Sequence, residues 1–157
     1  MDTILLIHGP NLNQLGARDT TLYGSLTLHD IEALVATEAE KRGLSVRSFQ
    51  SNHEGALIDF LQKESPTASG VIVNPGAFTH YSYALHDALV DTGLPCVEVH
   101  LSDISSREVW RRTSVTAPAC IGQISGKKEA GYVEALSRLA AYLSAQGGSA
   151  SGRKKSV

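Results

Sequence analysis

The chain has 157 residues, a formal net charge of −2, two cysteines and no concentration of Lys or Arg ahead of its C-terminal end. A chain of this length can bury the core of one domain without disulfide or metal staples. The charge balance argues against nucleic acid as the main partner, since duplex binding needs clustered cations, and no apolar run approaches the ~18 residues of a membrane span.

Thr3-Ile4-Leu5-Leu6-Ile7 is an apolar run of strand length that ends at His8-Gly9-Pro10, where proline lacks the N–H of a central strand. From there to Leu26 no apolar period exists, and the segment reads as a long loop of the kind that works as a lid. Thr27-Leu28-His29-Asp30 carries a capping-box pattern, and Ile31, Leu34, Val35 and Ala39 form one helical face that Gly43 terminates. Leu44 to Phe49 alternates with period two, as a strand nearer the sheet edge does, and Leu57, Ile58 and Leu61 place a helix up to Ser65-Pro66.

Gly70-Val71-Ile72-Val73 is the next buried strand. Ala84, Leu85, Ala88 and Leu89 carry a helix ending at Gly93, and Pro95 opens a fourth strand, Cys96 to His100. An Arg-rich helical turn around Trp110 precedes a fifth strand, Cys120 to Ile124, and Val133, Leu136, Leu139, Ala140 and Leu143 form a last amphipathic helix. Both cysteines fall in apolar strand runs and are expected as small core residues in a reducing cytoplasm. The N-terminus has no basic segment, so the chain is expected to be soluble and unprocessed.

Strands and helices alternating through short connections predict an α/β domain with a five-stranded parallel sheet in the flavodoxin-like order 2-1-3-4-5, helices on both faces. A single catalytic domain is expected over 1–146. Residues 147–157 are expected to be a disordered Gly/Ser linker with a small basic end. Parallel strands end at one sheet edge, where ligands bind. Four strand ends here hand over to polar clusters: His8 to Asn13, Gln50 to Glu54, Asn74 to His80, and His100 to Asp103.

Several familiar sites are absent. Gly122 to Gly126 leaves too few residues for a phosphate loop and Lys127 is followed by Lys128; no Gly-x-Ser-x-Gly elbow and no i, i+4 His pair occurs; and Asn74 stands where a phosphate-accepting domain needs Asp. The remaining inventory suits proton transfer and oxyanion stabilisation without a metal or a redox cofactor. Glu98 and His100 are two apart on a strand and share a face, either as an oriented catalytic pair or as a self-stabilising buried pair. Arg18 and Tyr23 lie together in the lid, where a guanidinium favours a phenolate base, or else they merely pack. His80 opens a helix, as a cap residue or a ligand contact. Arg107 and Arg111 share a face at i, i+4 spacing with Arg112 beside them, as a solvated basic face or an anion grip. Asn11 and Asn74 form turns or bind. His8, His29, His53 and His86 read as structural.

Gly9-Pro10-Asn11-Leu12-Asn13-Gln14-Leu15-Gly16-Ala17-Arg18, Tyr23-Gly24, Gln50 to Gly55, Asn74 to His80, and Glu98 to Ser102 with Arg107-Glu108 closely resemble the type II 3-dehydroquinate dehydratases of the shikimate pathway, in order and spacing, from Ile4 to Leu143. The resemblance implies anti dehydration of 3-dehydroquinate to 3-dehydroshikimate through an enolate, in aromatic amino acid biosynthesis, with no imine and no cofactor. It makes Tyr23 the base, with Arg18 and Arg107 favouring its phenolate. Asn11 would hold a water on the enolate oxygen, and His100, supported by Glu98, would be the acid. The substrate carboxylate would meet Asn74, Leu101 and Ser102, and the ring hydroxyls His80, Arg111 and Asp87 from a neighbouring subunit of a dodecamer built of trimers. Lys127-Lys128-Glu129 and His86 depart from the family pattern near expected subunit contacts. The rival readings are a flavodoxin-like module binding a nucleotide or regulatory ligand, and a relative that kept the scaffold but lost catalysis.

Overall fold

The computed structural model of the chain describes residues 1–147. The tail expected to be disordered lies outside the described residues, except that Gly147 is the last residue of the final helix rather than the first of a linker.

Five strands, β1 (Asp2–His8), β2 (Leu44–Gln50), β3 (Gly70–Asn74), β4 (Cys96–His100) and β5 (Gly122–Ser125), form one parallel sheet in the order β2-β1-β3-β4-β5. This is the expected flavodoxin-like order. The helices are α1 (Thr20–Tyr23), α2 (Leu28–Glu40), α3 (Glu54–Glu64), α4 (Tyr83–Asp91) and α5 (Ala130–Gly147). Alternation along the strands sorts their side chains between two layers. Ile4, Leu6, Ile72, Val97 and Val99 pack against Ile31, Val35 and Ala39 of α2 and Ala135, Leu136 and Leu139 of α5. Leu5, Ile7, Val71 and Val73 pack against Leu57 and Leu61 of α3 and Leu85 and Leu89 of α4. At about 2 kcal/mol for each fully buried aliphatic side chain, burial on both faces commits the apolar runs to the sheet centre. The alternating β2 run lies at the edge, half-buried.

The chain reverses its direction of winding between β1 and β3, which opens a crevice beyond their C-terminal ends. Register brings the strand ends level there: His8 pairs with Asn74 and Gln50, and His100 with Ser125. Two loops cross at this edge. Gly9 N–H donates to the Asn74 carbonyl at 2.7 Å, and a Cβ at Gly9 would overlap the Pro75 carbonyl, so the crossing requires glycine.

The expected capping box of α2 is present. Thr27 Oγ1 accepts from Asp30 N–H at 3.2 Å, and the Asp30 carboxylate accepts from Thr27 N–H at 3.0 Å. Other local expectations are corrected. The segment expected to be one long loop holds a 3₁₀ turn at Leu12–Gln14 and the single helical turn α1; Leu12 and Leu15 are buried, and Asp19 caps α1 by accepting from Thr21 N–H at 2.9 Å. Elements of one turn have no period to read. Cys120 is not in a strand but caps a 3₁₀ turn at Ala117–Ala119 that contains Pro118, and β5 starts at Gly122. His80 does not open a helix. It ends a 3₁₀ turn at Gly76–His80, and Ser82 caps α4 by accepting from Leu85 N–H. The Arg-rich turn is two 3₁₀ turns, Ile104–Ser106 and Val109–Arg111, with Arg107 extended between them, so the helical i, i+4 relation of Arg107 and Arg111 does not exist. Among the described residues no helix is long and apolar enough to cross a membrane.

Candidate active site

One crevice at the sheet edge is lined by ten of the twelve residues to which the family resemblance gives a role; Arg112 is not among its lining residues. From the loop after β1 come Asn11, Arg18 and Tyr23, and from the end of β3 and its loop come Asn74 and His80. The end of β4 supplies His100, Leu101 and Ser102, and the 3₁₀ region beyond it supplies Arg107 and Arg111. Glu98 lies behind His100, fully buried. Asp87 is not in the crevice; it lies on the exposed face of α4. None of His8, His29, His53 and His86 lines the site, nor does any lysine among the described residues.

Tyr23 is held at the end of α1 with its hydroxyl between two cations. Arg18 Nη2 and Arg107 Nη1 each donate to Tyr23 Oη at 2.8 Å, and the Arg18 guanidinium lies 3.8 Å from the centre of the phenol ring. Arg107 Nη1 also donates to Ser102 Oγ at 3.3 Å, which ties the Tyr23 cluster to the segment that follows β4. Two charge-assisted donors on one phenol oxygen stabilise negative charge there. Arg111 lies over the Trp110 ring at 4.0 Å, its Nε 2.8 Å from the Glu108 carboxylate. Asn11 has φ +67, a left-handed conformation that Asn tolerates better than most residues, and its N–H donates to Asn52 Oδ1 at 2.9 Å. Asn11 itself lines the crevice.

The shared face of Glu98 and His100 brings His100 Nε2 to 2.9 Å from Glu98 Oε2. With Nε2 committed to the carboxylate, Nδ1 is the nitrogen left for a ligand. Ser114 Oγ (2.8 Å) and Gln123 Nε2 (2.7 Å) also donate to Glu98 Oε2, and Thr116 Oγ1 donates to Oε1. Thr79 Oγ1 joins the two hydroxyls at 2.7 and 2.8 Å. Burial by itself raises the Glu98 carboxyl, but the hydrogen bond and positive charge of His100 and the Thr116 and Ser114 hydroxyls outweigh it and hold it below the ordinary carboxylate range. His80 Nδ1 is 2.8 Å from the Thr113 carbonyl; burial first, then the charges of His100 and Arg111, lower its basicity, so it stays neutral at neutral pH with Nε2 open.

Because the folded value of Glu98 is depressed, its stabilisation is present above the ordinary carboxyl range and is lost as pH falls through the folded value. Glu98→Gln turns one oxygen into a donor facing donors. It is expected to cost about 2–4 kcal/mol near neutrality and to lack that share of the acid loss, read from melting temperatures across a pH series.

Sequence reasoning missed Ser114, Thr116, Gln123 and Thr79, and also Tyr132, whose hydroxyl accepts from Asn74 Nδ2 at 3.0 Å. No local pattern marks them, because each meets its partner across a long stretch of chain. Among the described residues no group of three or more His, Cys, Asp or Glu side chains is arranged to hold a metal.

The class II dehydroquinase family model matches residues 2–140. The 3-dehydroquinate dehydratase of Bacillus cytotoxicus is 51% identical over 136 residues, 87% of this chain and 93% of that protein. The 3-dehydroquinate dehydratase of Roseiflexus castenholzii is 53% identical over 133 residues, 85% of each. The crystal structure of type II dehydroquinase from Butyrivibrio crossotus superposes with a TM-score of 0.85 at 41% identity, covering 88% of this chain and 97% of that one. With the fold, the order of the site segments and these likenesses agreeing over nearly the whole described chain, the protein belongs to the class II dehydroquinase family, whose members are hydro-lyases.

Proposed function

We propose that this crevice dehydrates 3-dehydroquinate to 3-dehydroshikimate in the shikimate pathway by anti elimination through an enolate. Tyr23 removes the proton beside the ketone as a phenolate held by Arg18 and Arg107. A water on Asn11 stabilises the enolate oxygen, and prearranged donors of this kind are worth ~3 kcal/mol or more. His100, oriented by Glu98, protonates the departing hydroxyl, since hydroxide is a poor leaving group. Asn74, Ser102 and the backbone at Leu101 and Ser102 receive the carboxylate, and His80 and Arg111 the ring hydroxyls.

The observation that carries this reading is the Tyr23 hydroxyl taking two guanidinium hydrogen bonds, 2.8 Å each, at the crevice. Asp87 belongs to the proposal through a second copy of the chain, in trimers that build a dodecamer. In support, Tyr83 and Val90 flank it on α4 and are 71% and 53% exposed. A cytoplasmic location completes the reading, supported by two cysteines that are both free.

The test is the rise of conjugated-enone absorbance after adding 3-dehydroquinate, repeated after borohydride treatment. Turnover that survives borohydride is expected. No turnover overturns the function, and inactivation by borohydride overturns the imine-free route.

A further inference from the structure

We infer that Tyr132 is a positioning residue that sets the plane of the Asn74 side-chain amide and thereby controls how tightly the crevice holds its ligand. For its kinetic assay, and only for that, the inference rests on the function proposed above.

Tyr132 does not line the crevice. It stands in the first turn of α5, fully buried, beneath Asn74, which is itself 3% exposed and does line the crevice. An amide has two N–H donors and a carbonyl with two lone pairs. One end of Asn74 is decided by the backbone: Gly76 N–H, which can only donate, reaches Oδ1 at 3.1 Å. That fixes the nitrogen on the other side, where Nδ2 donates to Tyr132 Oη at 3.0 Å. Gly76 thus decides which end is nitrogen, and the two contacts together fix rotation about the last side-chain torsion. A single N–H of Asn74 is left over for an acceptor in the crevice. That fits the carboxylate of a small acid, and it requires the amide plane to be held.

Tyr132 is built to hold it. Burial, reinforced by the Glu32 carboxylate and only partly offset by the Asn74 hydrogen bond, raises the phenol well above its ordinary value, so it remains a neutral hydroxyl. The turn of helix that carries it is pressed onto the sheet. A Cβ at Gly131 would lie 3.3 Å from Ile124 Cγ2 and 3.4 Å from Val99 Cγ1. The turn before it is tied to the residue that follows β4 by Lys128 N–H donating to the Leu101 carbonyl at 3.1 Å. The Tyr132 ring lies 6.1 Å from that of His8 between centroids, and His8 Nε2 lies 3.4 Å from Glu32 Oε1. A hydroxyl fixed by packing on one side can fix an amide on the other.

Tyr132→Phe removes the hydroxyl and keeps the ring. We expect KM for 3-dehydroquinate to rise about tenfold while kcat changes less than threefold, because an unpaired buried N–H lets the amide turn away from the ligand. The decisive comparison is a double-mutant cycle. In an Asn74→Ala background, Tyr132→Phe should change KM less than twofold, since the hydroxyl then has no amide to set. An unchanged KM in Tyr132→Phe, a fall confined to kcat, or an equal KM effect in both backgrounds would overturn the inference. A second readout needs no turnover: the Asn74 side-chain amide protons in a ¹H–¹⁵N spectrum should exchange slowly in the parent and rapidly in Tyr132→Phe, and identical exchange would overturn it as well. A parent protein inert toward 3-dehydroquinate would sink the proposed function and leave the spectrum to decide the role of Tyr132.

Discussion

Tyr23→Phe is expected to lower kcat for dehydration of 3-dehydroquinate by about three orders of magnitude while KM moves by only a few-fold. The substitution deletes the one oxygen on which Arg18 and Arg107 converge at 2.8 Å and leaves the ring where the Arg18 guanidinium lies over it at 3.8 Å. Loss of a proton-transfer group that acts in the transition state removes a factor of about 10² to 10⁴ from kcat. Loss of a group that merely holds the ligand would raise KM instead. The ring is half-buried against the core on the α2 and α5 side, so its packing persists and the melting temperature should shift little. Steady-state kinetics on the purified variant, with the melting curve as control, check the outcome. A variant retaining a tenth or more of parental kcat would remove Tyr23 as the base and, with it, the reason for the paired guanidiniums.

His100→Ala is expected to lower kcat by a factor between about 10² and 10⁴, and in a way that separates it from Tyr23→Phe. With the acid gone, the hydroxyl departs slowly, but the base still forms the enolate, which returns to ketone. In D₂O the recovered substrate should therefore gain deuterium beside the ketone faster than product forms, whereas Tyr23→Phe should show neither exchange nor product. The geometry motivates the division: His100 Nε2 is held 2.9 Å from Glu98, and the phenol oxygen is tied to a separate pair of arginines. Absence of exchange in His100→Ala, measured by mass spectrometry of recovered substrate, would rule out an enolate that forms before the hydroxyl leaves.

Much of this site is readable in one dimension because it sits where regular patterns stop. The end of each apolar run marks a strand terminus, and parallel strands put those termini on one edge, so His8, Gln50, Asn74 and His100 share that edge. Period two placed Glu98 and His100 on one face. Short sequence distance put Arg18 within reach of Tyr23, five residues apart. The Arg107 and Arg111 pair was a different case. Both guanidiniums reach the crevice, but through irregular 3₁₀ turns and not through the helical spacing that suggested them.

By itself, then, the order of residues determined the α/β class, the strand order, the edge that carries the site and nearly all of the side chains on it, because hydrophobic period and turn chemistry are local properties written along the chain. Only the tertiary structure decided how those side chains are held. Glu98 is gripped by Ser114, Thr116 and Gln123 from 16, 18 and 25 residues away, and Asn74 by Tyr132 from 58 residues away. Those partners are selected by where the folded layers bury a polar group and oblige it to find a hydrogen bond, a demand that arises only once water has been excluded.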